Sequence, residues 1–226
     1  MSAAADFASA DVLFSNRGGG TEGTDVFSSQ LNAPTLEDGV FAAPLGPQSI
    51  TGINIGYDNT GVTPVSMDVL VSFWDTVNYD VVPATSSIVS GQVGPTYRFS
   101  VMAAPGANET GLMSLTGGPL LFPDNSFGVV VNFVAPAGNT PLLAINHLFK
   151  DVPVATGSSD GLFAFDQDLS GVIDGNEVFT WQDGPFPDAN MYLEIQGSAV
   201  PVPEPAAAGL AALAGASLLR RRRERI

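Results

Sequence analysis

The stretch Met67-Asp68-Val69-Leu70-Val71-Ser72-Phe73-Trp74 decides the fold. Met67, Val69, Val71 and Phe73 occupy every second position, with Asp68, Leu70, Ser72 and Trp74 between them. Side chains of an extended strand point alternately to opposite faces, so the first set predicts a core face. The same period recurs on either side. Ile53, Ile55 and Tyr57 alternate with Asn54 and Gly56, and Tyr97, Phe99 and Val101 with Arg98 and Ser100. Val129, Val131 and Phe133 alternate with Val130 and Asn132, and Met191, Leu193 and Ile195 with Tyr192, Glu194 and Gln196. Turn-forming clusters separate these runs, among them Asp58-Asn59-Thr60-Gly61 and Ala135-Pro136-Ala137-Gly138-Asn139. No stretch of the body keeps helical periodicity for three turns. The pattern predicts an all-β, antiparallel β-sandwich or jelly-roll-like body of about nine strands, with no helix before residue 205.

Composition agrees with a packed body. The chain has 226 residues, 45% hydrophobic and only 14% charged, which suits one domain with a real core and excludes a charge-rich disordered protein. The charges are unevenly placed. Residues 1–205 carry Arg17, Arg98 and Lys150 against 22 of the 23 acids, a net charge of −19. Residues 206–226 carry five arginines against Glu224, a net charge of +4. A body with three cations cannot neutralise a phosphate backbone, which excludes nucleic acid as its partner. Such a body stays soluble by self-repulsion and attracts divalent cations. The absence of cysteine excludes disulfides, thiol nucleophiles and thiolate metal sites, and a single histidine, His147, excludes His-pair chemistry.

The C-terminal segment changes character. Pro201-Val202-Pro203-Glu204-Pro205 is a short stiff linker, because its prolines remove donors and force extended backbone. Residues 206–219 are uncharged and rich in helix formers, predicting a single hydrophobic helix. Arg220, Arg221, Arg222, Arg223 and Arg225 follow. An apolar stretch beside an arginine cluster reads as a membrane segment with its cationic end in the cytoplasm and on anionic headgroups. Fourteen residues rise about 21 Å against a hydrocarbon core of roughly 30 Å, a shortfall that snorkelling and local thinning reduce. The residues divide into 1–11, read as the remnant of an export region or disordered, 12–200, the β body, and 201–226, the anchor segment. Residues 1–11 have no basic region and no long apolar run, but Ala3-Ala4-Ala5 suits the end of an export signal.

The ordered set of Pro203-Glu204-Pro205, apolar helix and arginine cluster resembles the PEP-CTERM sorting signal. The resemblance covers residues 202–225 and implies recognition by an exosortase, a membrane-embedded enzyme that processes its substrate near Pro203-Glu204-Pro205 during export. It implies a Gram-negative bacterium that makes extracellular polysaccharide. It also implies residence in the inner membrane before processing, and at the cell surface or outside the cell afterwards. The body is similar in style to choice-of-anchor surface domains.

Asp166-Gln167-Asp168-Leu169-Ser170-Gly171-Val172-Ile173-Asp174-Gly175-Asn176-Glu177 matches the calcium-loop pattern. Oxygen side chains fall at positions 1, 3, 5, 9 and 12, and a glycine at position 6 permits the sharp turn. The spacing predicts Ca²⁺ held by Asp166, Asp168, Ser170, the Val172 carbonyl, Asp174 and a bidentate Glu177. The loop resembles those of EF-hand and dockerin proteins, but Leu162–Phe165 and Val178–Trp181 read as strands. The same residues also suit an acidic turn without metal.

No carboxylate pair stands out, and His147 reads as a structural histidine on a strand, so no catalysis is expected. Trp74, Tyr79, Trp181 and Tyr192 are candidates for a sugar-stacking platform. The sequence therefore points to an exported surface or matrix protein. The alternative is a secreted calcium-dependent carbohydrate-binding module acting on extracellular polysaccharide, and a secreted hydrolase ranks third.

Overall fold

The computed structural model describes residues 10–17, 26–28, 33–42, 46–150, 155–159, 162–180 and 190–200. Trp181, Pro203-Glu204-Pro205, the predicted helix over 206–219 and the arginines of 220–225 lie outside the described residues. Two antiparallel sheets make up the body, and no helix occurs among the described residues. Accordingly, none among them is long and apolar enough to cross a membrane.

Strands are numbered in chain order. The first sheet runs β1 (Asp11–Ser15), β15 (Leu193–Ala199), β4 (Gln48–Asn59), β11 (Ile145–Lys150) and β14 (Asn190–Met191). Short strands extend it: β2 (Val26–Ser28) on β11, and β7 (Gly106–Glu109), β8 (Met113–Ser114) and β9 (Leu120–Phe122) on β4. The second sheet runs β13 (Val178–Thr180), β12 (Leu162–Phe165), β3 (Thr35–Val40), β10 (Ser126–Val134), β5 (Val65–Val77) and β6 (Val89–Ala103). The strands among the described residues thus number 15 rather than about nine. The additional ones are mostly two to four residues long, too short for alternation to show.

The period-2 runs behave as strands with one buried face. Met67, Val69, Val71 and Phe73 are fully buried, as are Ile53, Ile55, Val129 and Val131. They belong to one core between the sheets. Burial of each such side chain contributes about 1.5–3 kcal/mol before entropy is charged against it. Register places Val131 opposite Val71 and Phe133 opposite Val69, which stacks the apolar rows of β10 and β5. Phe99 and Val101 are only half-buried, because β6 is the edge of its sheet. The β5–β6 register shifts between Val71 and Phe73, where β6 carries Gly94, with φ of +71°, and Pro95.

Outer faces are covered unevenly. Over the first sheet, the Tyr192 ring packs onto Gly56, where a Cβ would come within 2.6 Å of Tyr192 Cδ1. Outside the second sheet, Leu36 and Ala164 bury Ile88 and Ile173 in a small second core. Ile173 comes from the acidic loop, so that loop is packed against the sheet.

Candidate functional site

The acidic loop joins β12 to β13, as its strand-like flanks predict. Three backbone contacts position it. The Asp166 N–H donates to Pro34 O at 3.0 Å, the Ile88 N–H to Ile173 O at 3.1 Å, and Asp174 bridges Ser87. Gly175 passes so close to Ala84 that a Cβ would lie 3.0 Å from its carbonyl. The turn needs unusual backbone: φ is +57° at Leu169 and +84° at Gly171. Gly171 adopts this conformation at little cost, which is the reason for glycine at position 6.

Oxygen atoms of Asp166, Asp168 and Glu177 lie within 4.8 Å of one another. Asp166 and Glu177 are buried and Asp168 is exposed. Backbone N–H groups oppose their mutual repulsion. Asp166 accepts from Ser170 and Gly171, both at 2.8 Å. Glu177 accepts from Gln167 at 2.6 Å and, through its other oxygen, from Asp174 at 3.1 Å. Hydrogen bonds from the Ser170 hydroxyl and backbone N–H hold the Asp168 carboxyl below the usual carboxylate range.

The predicted ligand set is brought together only in part. Asp166, Asp168 and Glu177 converge. Ser170 Oγ lies 3.4 Å from Asp166 Oδ1 and 3.1 Å from Val172 O. Asp174 is outside the converging three, and its Oδ1 accepts the Asn176 N–H at 2.8 Å. Three hard oxygen donors with a hydroxyl and a carbonyl beside them have the chemistry of a Ca²⁺ site, which takes six to eight oxygens. Completing the shell requires Asp174 to turn or water to enter.

The loop overlies the outer face of the second sheet, with an open cleft on each side. One encloses about 590 Å³ between Leu70, Arg98, Asn132 and Asn139 of the sheet side and Asp166 and Leu169 of the loop. The other encloses about 290 Å³ and includes Ser72, Trp74 and Val172. Asp166 and Gly171 line both. Arg98 donates to Asp68 at 2.7 Å, Gly138 O at 3.0 Å and Asn139 Oδ1 at 2.8 Å. Asp68 also accepts from the Ser100 hydroxyl and the Ala137 N–H, and these contacts with Arg98 lower its pKa. No motif or spacing marks this group in the sequence. Its one signal there is the scarcity of cations in the body, which makes each one conspicuous.

The three described aromatics of the four, Trp74, Tyr79 and Tyr192, do not assemble into a platform. Trp74 is half-buried and donates from Nε1 to Ser72 Oγ at 3.1 Å. Tyr79 donates to Asp38 at 2.7 Å. Tyr192 is buried on the other sheet, its hydroxyl 3.0 Å from Glu109 Oε1, and burial with that contact pushes its pKa up to about 12. Of Trp74, Tyr79 and Tyr192, it is Trp74 that lines one of these two clefts. His147 is fully buried, 3.2 Å from Ala33 O and stacked on Phe133. Burial lowers its pKa to about 4, so it is neutral at ordinary pH. No serine hydroxyl or carboxylate bonds to it among the described residues.

Compared with protein-family models and with curated proteins, the chain matches none.

Proposed function

We propose that this chain is an exported cell-surface or extracellular-matrix protein of a Gram-negative bacterium, sorted by an exosortase and without catalysis of its own. The single observation that carries the reading is the order of Pro203-Glu204-Pro205, an uncharged stretch over 206–219 and five arginines within 220–225. In this reading the apolar helix enters the inner membrane, the arginines stay cytoplasmic on anionic lipid, and the β body lies outside. The body suits that place. Its sandwich-like sheets need no cysteine, and its charge of −19 favours divalent cations from the medium. Asp166, Asp168 and Glu177 would hold a Ca²⁺ ion there, with Ser170, the Val172 carbonyl and Asp174 as further ligands. Weak extracellular sites function at roughly 10⁻⁴–10⁻³ M, which tolerates serine at position 5.

Processing tests the reading. In a host containing the exosortase, Glu204→Ala should accumulate a larger, membrane-bound species, while the unaltered chain is shortened. Identical mature masses would remove the sorting role. A tag after Ile226 should resist external protease in intact spheroplasts before processing, and ready cleavage there would reverse the proposed topology.

A second reading, a module that binds extracellular polysaccharide, is favoured by the clefts over the second sheet.

A further inference from the structure

We infer that the two clefts beside the acidic loop form one groove that binds a neutral oligosaccharide segment, a deepening that rests on the polysaccharide-binding reading. Leu70, Ser72 and Trp74 are successive outward positions of β5, and four residues of strand span roughly 13 Å. The larger cleft takes Leu70 and the smaller takes Ser72 and Trp74, and Asp166 lines both. The groove therefore follows β5 beneath the loop. Its larger part, about 590 Å³, falls in the range of roughly 300–1,000 Å³ usual for ligand sites.

The lining matches a polyol. Sugars present hydroxyls around apolar C–H faces, so their sites combine planar polar side chains with flat apolar ones. Here Arg98, Asn132 and Asn139 lie near Leu70 and Pro141, with Trp74 farther along. Asn132 Oδ1 is buried without a hydrogen-bond partner among the described residues. Such an atom costs free energy, so its removal need not destabilise the fold. Arg98 and Asn139 are already held in place by each other and by Asp68 and Gly138, so little ordering is needed on binding. Charge selects a neutral glycan. The Arg98 charge is compensated by Asp68, and a body at −19 repels uronates and sulfates.

The test is titration of the full chain, kept in a detergent without a sugar headgroup, with cellohexaose, laminarihexaose and maltohexaose, and with oligogalacturonate as the anionic probe. Heat and tryptophan emission are the two readouts. At least one neutral hexasaccharide should bind and shift the emission. Trp74→Ala and Asn139→Ala should each weaken that binding about tenfold with the melting temperature little changed. Asn132→Val should weaken binding while leaving stability equal or higher, because it removes an unsatisfied atom; a purely structural asparagine would lower stability instead. Absence of binding by every neutral probe, binding of oligogalacturonate alone, or unchanged affinity in Trp74→Ala and Asn139→Ala would overturn the inference. Binding of oligogalacturonate alone, or affinity unchanged in both variants, overturns the groove while polysaccharide binding stands, whereas no binding of any probe removes both.

Discussion

The outer faces of the two sheets use similar polar residues to opposite ends. On the first sheet, Arg17 lies between Glu109 and Glu194, bonded to the former through Nε at 3.1 Å and to the latter at 2.9 Å. Asn54 and the Tyr192 hydroxyl complete the Glu109 carboxylate. Burial raises the Glu109 carboxyl, but hydrogen bonds from Asn54, Arg17 and Tyr192 outweigh it and leave the pKa below the usual value. Donors and acceptors are used up among themselves, and Tyr192 closes over Gly56. On the second sheet, Arg98 and Asp68 pair in the same manner, but Asn132 and Trp74 remain along a groove and three carboxylates converge at its rim. A polar face thus becomes a lock when its groups satisfy one another, and a candidate site when some are left for a ligand.

Acid should break the comparison most strongly. His147, on β11 of the first sheet, has a folded pKa of about 4 against an ordinary value of 6.5. The unfolded chain takes up the proton first, so stability is full above pH 6.5 and falls as pH drops toward 4. The loss is about 3 kcal/mol, because each pH step between those two values costs roughly 1.4 kcal/mol. Urea unfolding between pH 7 and 4 should show this slope, and His147→Gln should flatten it. An equal slope in the variant would place the effect elsewhere. Asp68 and Glu109 both have lowered pKa values, so the two outer faces loosen together only as pH falls below about 4, the ordinary carboxylate range.

Calcium should sharpen the comparison by acting on the second sheet alone. An ion that binds only the folded state stabilises it by about 2.7 kcal/mol at a hundredfold excess over its dissociation constant. Millimolar Ca²⁺ should raise the melting temperature of the full chain more than Mg²⁺, which prefers a tight octahedron and retains water. The Asp166→Ala, Glu177→Ala double variant should lose the difference. Equal shifts from the two ions would reduce the loop to an acidic turn.

The two arginines should separate the faces by a smaller margin. Arg17→Ala removes the counter-charge of two carboxylates at once, one of them buried, leaving them only neutral donors, and should cost about 2 kcal/mol after allowance for its partial exposure. Arg98→Ala leaves Asp68 with the Ser100 hydroxyl and the Ala137 N–H, so its cost should be about 1 kcal/mol or less. Chemical denaturation of both variants at pH 7 checks the order, and a larger loss from Arg98→Ala would contradict the distinction between lock and site.

Much of this was legible in one dimension. Met67, Val69, Val71 and Phe73 declared an inward face, and the loop spacing brought out Asp166, Asp168 and Glu177. The period of an extended chain is two and a calcium loop is contiguous, so both leave local marks. Asn54, Glu37 and Glu194 gave no sign that they would be buried, because their cover comes from distant segments. Glu37, for instance, accepts the Met191 N–H at 2.7 Å. Asp174 has the correct spacing yet bonds locally to Asn176, which no spacing rule reveals.

By itself, then, the sequence determined the all-β class, the inward rows of the long strands, the acidic body and the order of the C-terminal motif. Each depends only on neighbours along the chain or on composition. Tertiary structure alone decided that Tyr192 and Trp74 belong to different sheets, that Arg17 is a lock, and that the acidic loop roofs a groove along β5. Those outcomes depend on which strands pair and which segments cover them. Both are set by burial between residues more than a hundred positions apart, as between Arg17 and Glu194.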